Sequence, residues 1–227
     1  YKKLLVVERR RDGLKEYIMK LKTNLDYSIN NIFPTPIYIA KLKKFTAIEL
    51  KVVRLMENQT VRNMGNSRTS NTYVLKLKHF ENIKKQLDVH IRNYFDKVIS
   101  TSDKVIPYIT QSWLNYTREN EYMHSHAHPN SFISGVLYFD AIEDKDKIHF
   151  SQIKYNSIKL TIDKYNLHNS ETWYFPVSTG NLFIFPSDTQ HKVEQKEGNN
   201  VRTSLSFNVF VKGALGNDVD NNILFFN

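Results

Sequence analysis

Arg202-Thr203-Ser204-Leu205-Ser206-Phe207-Asn208-Val209 alternates polar and apolar side chains. Successive residues of a strand point to opposite faces, so Arg202, Ser204, Ser206 and Asn208 share one face and Leu205, Phe207 and Val209 the other. The same alternation runs through Ser134-Gly135-Val136-Leu137-Tyr138-Phe139, where Ser134, Val136 and Tyr138 oppose Leu137 and Phe139. Strands of this kind wrap a polar pocket and turn their oily side toward covering elements.

Outward from that stretch, short strands are expected over 106–116, 132–140, 148–153, 157–162, 173–177, 181–185, 192–195 and 202–211, with turns at Gly180 and Gly198-Asn199-Asn200. Eight short strands in about a hundred residues predict a mainly β protein with flanking helices, built as a double-stranded β-helix or jelly-roll barrel. Phe33-Pro34-Thr35-Pro36 should break any helix before it and lead into a strand at 37–42. A helix is expected at 48–56, and a longer one carries the stripe Phe80, Ile83, Leu87, Ile91, Tyr94 and Val98. Residues 62–71 are polar, contain Gly65 and show no periodicity, which reads as a loop near the barrel mouth whose arginines suit an anionic substrate, or as a solvated connection. Arg9-Arg10-Arg11 precedes Leu14, Tyr17, Ile18, Leu21 and Leu25 at helical spacing, so residues 1–30 are expected as a basic helical extension and 31–227 as the barrel domain with its covering helices.

His126-Ala127-His128-Pro129 lies just before the second alternating stretch, and Phe185-Pro186 precedes His191. Two residues apart on a strand, His126 and His128 would aim at one point, and imidazole nitrogens so placed can share a metal at about 2.1 Å. His124 has the same parity and would fall near the rim. Single histidines are usually structural, which is the expectation for His79, His90, His149 and His168. Asn120 sits in the turn before the histidines and tolerates a left-handed backbone.

These residues resemble the iron(II)/2-oxoglutarate-dependent oxygenases, in particular a branch frequent in marine bacteria and phages. The resemblance rests on Phe33-Pro34-Thr35-Pro36-Ile37-Tyr38, Trp113-Leu114-Asn115, the H-x-H-P followed by Ser134-Gly135-Val136 and Tyr138, Phe185-Pro186 before His191, and Arg202 to Asn208. It spans residues 32–211. It implies Fe(2+) held by His126 and His191, with His128 standing where most of the superfamily has Asp, either as a third ligand or behind the metal. It further implies that Arg202 pairs bidentately with the distal carboxylate of 2-oxoglutarate, that Ser204 and Tyr138 bond the same group, and that Asn115 and Trp113 line the cosubstrate pocket. The implied activity is a dioxygenase that consumes 2-oxoglutarate and dioxygen to hydroxylate a prime substrate: a protein side chain, a nucleic-acid base or a small molecule.

Two other readings use the same residues differently. A metal cupin shares the jelly roll, the H-x-H and a P-x-x-x-G such as Pro176 to Gly180, yet it usually adds a Glu shortly after the H-x-H, and 130–135 contains none. A non-catalytic jelly-roll binding module with a basic surface would use the net charge of +9 on nucleic acid. The chain has no cysteine, which removes disulfides and thiolate metal sites and suits a cytoplasmic setting. No apolar run is long enough to span a bilayer.

Overall fold

The computed structural model describes residues 26–42, 44–101, 104–152 and 158–226; the expected basic helix at 14–25 lies outside them. The chain divides after Pro34, and the unit Thr35–Asn227 carries everything that follows. Its first strand is β1 (Tyr38–Lys41) and its first helix α1 (Ala47–Met56). Thr46 and Glu49 start that helix with a capping box: the Thr46 hydroxyl accepts from the Glu49 amide at 3.1 Å, and the Glu49 carboxylate accepts from the Thr46 amide at 2.6 Å. Helix α2 (Glu81–Tyr94) buries Ile83, Leu87, Ile91 and Tyr94 along one stripe. The stripe ends there, because the chain widens into a π turn over Phe95–Ile99 and leaves Val98 exposed.

Twelve strands are present among the described residues. The remaining ones are β2 (Thr60–Arg62), β3 (Ser67–Thr69), β4 (Val105–Thr117), β5 (Met123–His126), β6 (Ile133–Asp140), β7 (Lys147–Ser151), β8 (Thr172–Pro176), β9 (Asn181–Pro186), β10 (Gln190–Val193), β11 (Arg202–Leu215) and β12 (Leu224–Phe226). One sheet runs β1-β9-β6-β11-β4-β3-β2, with β12 paired to the end of β11; the other runs β5-β10-β7-β8. The pairings are antiparallel, and the two sheets make the jelly roll.

Parity sorts the core into two layers. Leu137, Leu182, Ile184, Leu205 and Phe207 face α1 and α2, while their neighbours Val136, Tyr138, Phe183 and Phe185 face inward with Ile148 and Phe150. Each fully buried side chain of this size contributes roughly 1.5–3 kcal/mol. Gly135 is dictated by one contact: in register with Phe207, it lies under that ring, and a Cβ there would sit 2.2 Å from Phe207 Cζ.

Three sequence expectations change. Residues 158–162 form no strand, and the expected strand at 192–195 begins two residues earlier, at Gln190. Residues 62–71 are no irregular loop: β2 and β3 make a hairpin, closed by the Asn63 amide on the Asn66 carbonyl at 2.8 Å and turned by Gly65 at φ 104°. A short hairpin paired through three residues leaves too few alternations for a period to show. Asn120 adopts φ 66°, as its residue type allows.

Candidate metal centre and its cavity

β5 and β10 are adjacent, and His126 and His191 are direct register partners across them. Strand β5 ends at His126, so His128 is not on it; a hydrogen bond from the His128 amide to the Ser187 carbonyl at 2.8 Å holds the following turn. The turn still delivers the third imidazole, and the candidate ligand atoms of His126, His128 and His191 all lie within 4.8 Å of one another. The Nε2 atoms of His128 and His191 are 3.3 Å apart. Two metal–nitrogen bonds of about 2.1 Å meeting at roughly 100° span that distance.

Proton positions suit a metal. His126 Nδ1 faces the His124 carbonyl at 2.9 Å and His191 Nδ1 faces the Thr189 carbonyl at 3.0 Å. A carbonyl only accepts, so Nδ1 carries the proton in both rings and Nε2 presents its lone pair, the arrangement metal-binding histidines adopt. Burial lowers all three imidazoles, His191 to about 3 and His128 to about 4, with His126 adding repulsion to both. They are neutral at pH 7. Phe185 and Phe150 pack on the His191 ring, 4.7 and 6.3 Å between centroids, and shield it from water. His124 lines the cavity beside His126 but stands outside the ligand group. His90 bonds the Tyr38 hydroxyl and His149 packs on Tyr174, both away from the centre.

The triad opens on a cavity of about 370 Å³ whose wall also includes Arg202, Ser204, Tyr138, Asn115 and Trp113. The eight residues that the resemblance implies as ligands or cosubstrate contacts therefore line one space. Register explains how: Asn115, Ser204 and Tyr138 form one lateral row across β4, β11 and β6, and Trp113, Ser206 and Val136 form the next. Thr117 stands opposite Arg202. Burial holds the Tyr138 phenol above its ordinary value, so it remains a donor at neutral pH.

Sequence reasoning missed Asp146 and Lys196. Asp146 is fully buried, accepts from Arg202 Nη1 at 2.9 Å through Oδ1 and from the Ile142 amide at 2.8 Å through Oδ2. Lys196, also buried, sits 3.9 Å from the same Oδ1 and donates to the Glu197 carbonyl. In the sequence Asp146 is one charge in Glu143-Asp144-Lys145-Asp146-Lys147, a run that reads as a solvated turn. Arg202 Nη2 is buried without a partner, and so is Asn115 Oδ1.

Residues 111–208 match the profile of a family described as "Putative 2OG-Fe(II) oxygenase". Over these residues the chain is similar to the 2OG-Fe(II) oxygenases. The span contains all eight residues named above as ligands or cavity wall from the sequence. Among solved structures, an oxidoreductase of the 2OG-Fe(II) oxygenase family from Burkholderia pseudomallei is similar over 75% of this chain and 83% of its own, at 15% identity and a TM-score of 0.51. HygX from Streptomyces hygroscopicus, crystallised with nickel, 2-oxoglutarate and hygromycin B, covers 77% and 82% at 11% identity and a TM-score of 0.53. The non-heme alpha ketoglutarate dependent epimerase SnoN from nogalamycin biosynthesis covers 78% of each chain at 10% identity and a TM-score of 0.54. At such identities the likeness is one of fold. No curated protein matches the sequence. No helix among the described residues of the chain is long and apolar enough to cross a membrane.

Proposed function

We propose that the chain is an Fe(II)/2-oxoglutarate-dependent hydroxylase whose metal is held by His126, His128 and His191. The observation that carries the reading is the meeting of three neutral imidazoles and a buried arginine with an unpartnered nitrogen in one cavity. Iron and 2-oxoglutarate would supply the oxidation of a substrate C–H bond to C–OH by dioxygen, with 2-oxoglutarate leaving as succinate and carbon dioxide.

The chain's own residues then have distinct tasks. Arg202 Nη2 receives the distal carboxylate, while Asp146 on Nη1 fixes the guanidinium plane. Ser204 and Tyr138 donate hydroxyl hydrogens to the same carboxylate, and Asn115 and Trp113 bound the space between it and the metal. Phe185 and Val136 exclude water from the inner end. Three neutral ligands leave the centre one unit more positive than a set containing Asp.

The cupin reading has no use for a buried, Asp-oriented arginine at the wall, and the metal group includes no carboxylate among the described residues. The decisive experiment is succinate release from 2-oxoglutarate by iron-loaded protein in air, compared with Arg202→Gln. Release that depends on iron and falls at least tenfold in the variant supports the assignment; release independent of Arg202 removes its role.

A further inference from the structure

The lateral row that crosses the cavity floor continues past Asn115. Arg68 on β3 is the register partner of Asn115, so Arg68, Asn115, Ser204 and Tyr138 stand side by side across β3, β4, β11 and β6. Directly opposed residues share a face, and Arg68 lines the cavity with them. β3 lies outside the matched span 111–208, and the cosubstrate site described above makes no use of it.

Arg68 is a cation without a counter-charge. Its guanidinium donates to the Thr69 carbonyl at 3.0 Å and pairs with no carboxylate among the described residues. The cavity wall contains two arginines and no Asp or Glu. Beside Arg68, Asn66 of the hairpin turn donates its amide to Thr117 Oγ1 at 3.1 Å and leaves Oδ1 buried with no partner, on a residue only 5% exposed. Buried polar atoms are almost always satisfied, so this end of the cavity is built for a ligand that brings hydrogen-bond donors and negative charge.

Charge counting leads to the same class. A ferrous ion on neutral imidazoles is cancelled by dianionic 2-oxoglutarate, and Asp146 offsets Arg202, while Lys196 adds a further positive charge behind it. Arg68 is left uncompensated in a partly desolvated cavity, where an unpaired charge is costly. From this, and resting on the oxygenase reading above, we infer that the prime substrate is an anion whose carboxylate or phosphate group is received by Arg68, with its N–H or O–H donors facing Asn66.

The test uses the full chain carrying Trp173→Phe, in which Trp113 on the cavity wall is the single tryptophan and its fluorescence reports occupancy. Protein loaded with Mn(II) and saturating 2-oxoglutarate is titrated at constant ionic strength with acetate, with its neutral isostere acetamide, and with inorganic phosphate. Saturable binding of acetate or phosphate but not acetamide, weakened about tenfold in Arg68→Gln with unchanged 2-oxoglutarate affinity, is the expected result. The stronger of the two anions names the group. Arg68→Lys, which keeps the charge and loses the fork, should fall between wild type and Arg68→Gln. Anion binding that persists in Arg68→Gln, equal binding of acetamide, or no binding of either anion to the loaded protein overturns the inference while leaving the oxygenase reading intact. Failure to load 2-oxoglutarate at all overturns both.

Discussion

Arg202 and Asp146 are joined on one side only: Nη1 donates to Asp146 Oδ1 at 2.9 Å, while Nη2 of the same guanidinium is buried with nothing to bond. The carboxylate sets the plane of the fork and leaves its other prong unbonded, on a residue that lines the cavity. Removing the anchor should therefore damage both stability and cosubstrate binding. Asp146→Ala strands Arg202 and Lys196 as buried cations, a change that typically costs about 3–5 kcal/mol; denaturant unfolding should show that loss. The paired change Asp146→Asn with Lys196→Met should recover much of it, and the recovered protein should still require more 2-oxoglutarate for half-saturation than wild type.

Gly135 and Phe207 offer a second test, confined to packing. Gly135→Ala places a methyl against the Phe207 ring at 2.2 Å and should destabilise by about 1–3 kcal/mol. Phe207→Leu vacates that space at its own cost, so the double variant should lose less than the sum of the singles. Additive losses would mean that the ring is not the obstacle.

Acid should weaken the metal-free protein. His126, His128 and His191 have lowered values when folded, His191 about 3 and His128 about 4, against about 6.5 in the unfolded chain. Below about 6.5 the unfolded state binds protons that the folded state refuses, so stability rises with pH in this range. The contribution of the neutral triad is complete above that value and is lost as pH falls toward 3. Thermal melts of metal-free protein should show Tm falling from pH 7 to pH 5, with a shallower fall in His191→Gln. A Tm that is flat or rises toward pH 5 would contradict this.

Much of the site was legible because strand parity survives folding. Arg202, Ser204, Trp113 and Asn115 alternate with core residues, and their shared face follows from period two alone. What local pattern does not encode is the partner across a sheet. Asp146 reaches Arg202 over 56 positions, and Arg68 meets Asn115 only because a three-residue strand docks at the edge of β4. His128 shows the limit from the other side: parity placed it on a strand, the strand stops at His126, and a turn held by Ser187 brings the ring to the cluster anyway.

The three histidines should not be equivalent to a pair with a bystander. If all three ligate, His128→Ala and His126→Ala should weaken iron binding comparably, whereas a His128 that only supports a ligand would cost about tenfold to a hundredfold. Equilibrium titrations with Fe(II) under anaerobic conditions distinguish these results.

The most direct measurement is anaerobic addition of Fe(II) to the full chain, followed by 2-oxoglutarate, with visible absorption recorded at each step. The expected result is a weak charge-transfer band that appears only when both are present, is absent in His126→Ala, and needs much more 2-oxoglutarate in Arg202→Gln. Iron uptake with no band at any 2-oxoglutarate concentration, or a band of equal strength in Arg202→Gln at the same concentration, would contradict it.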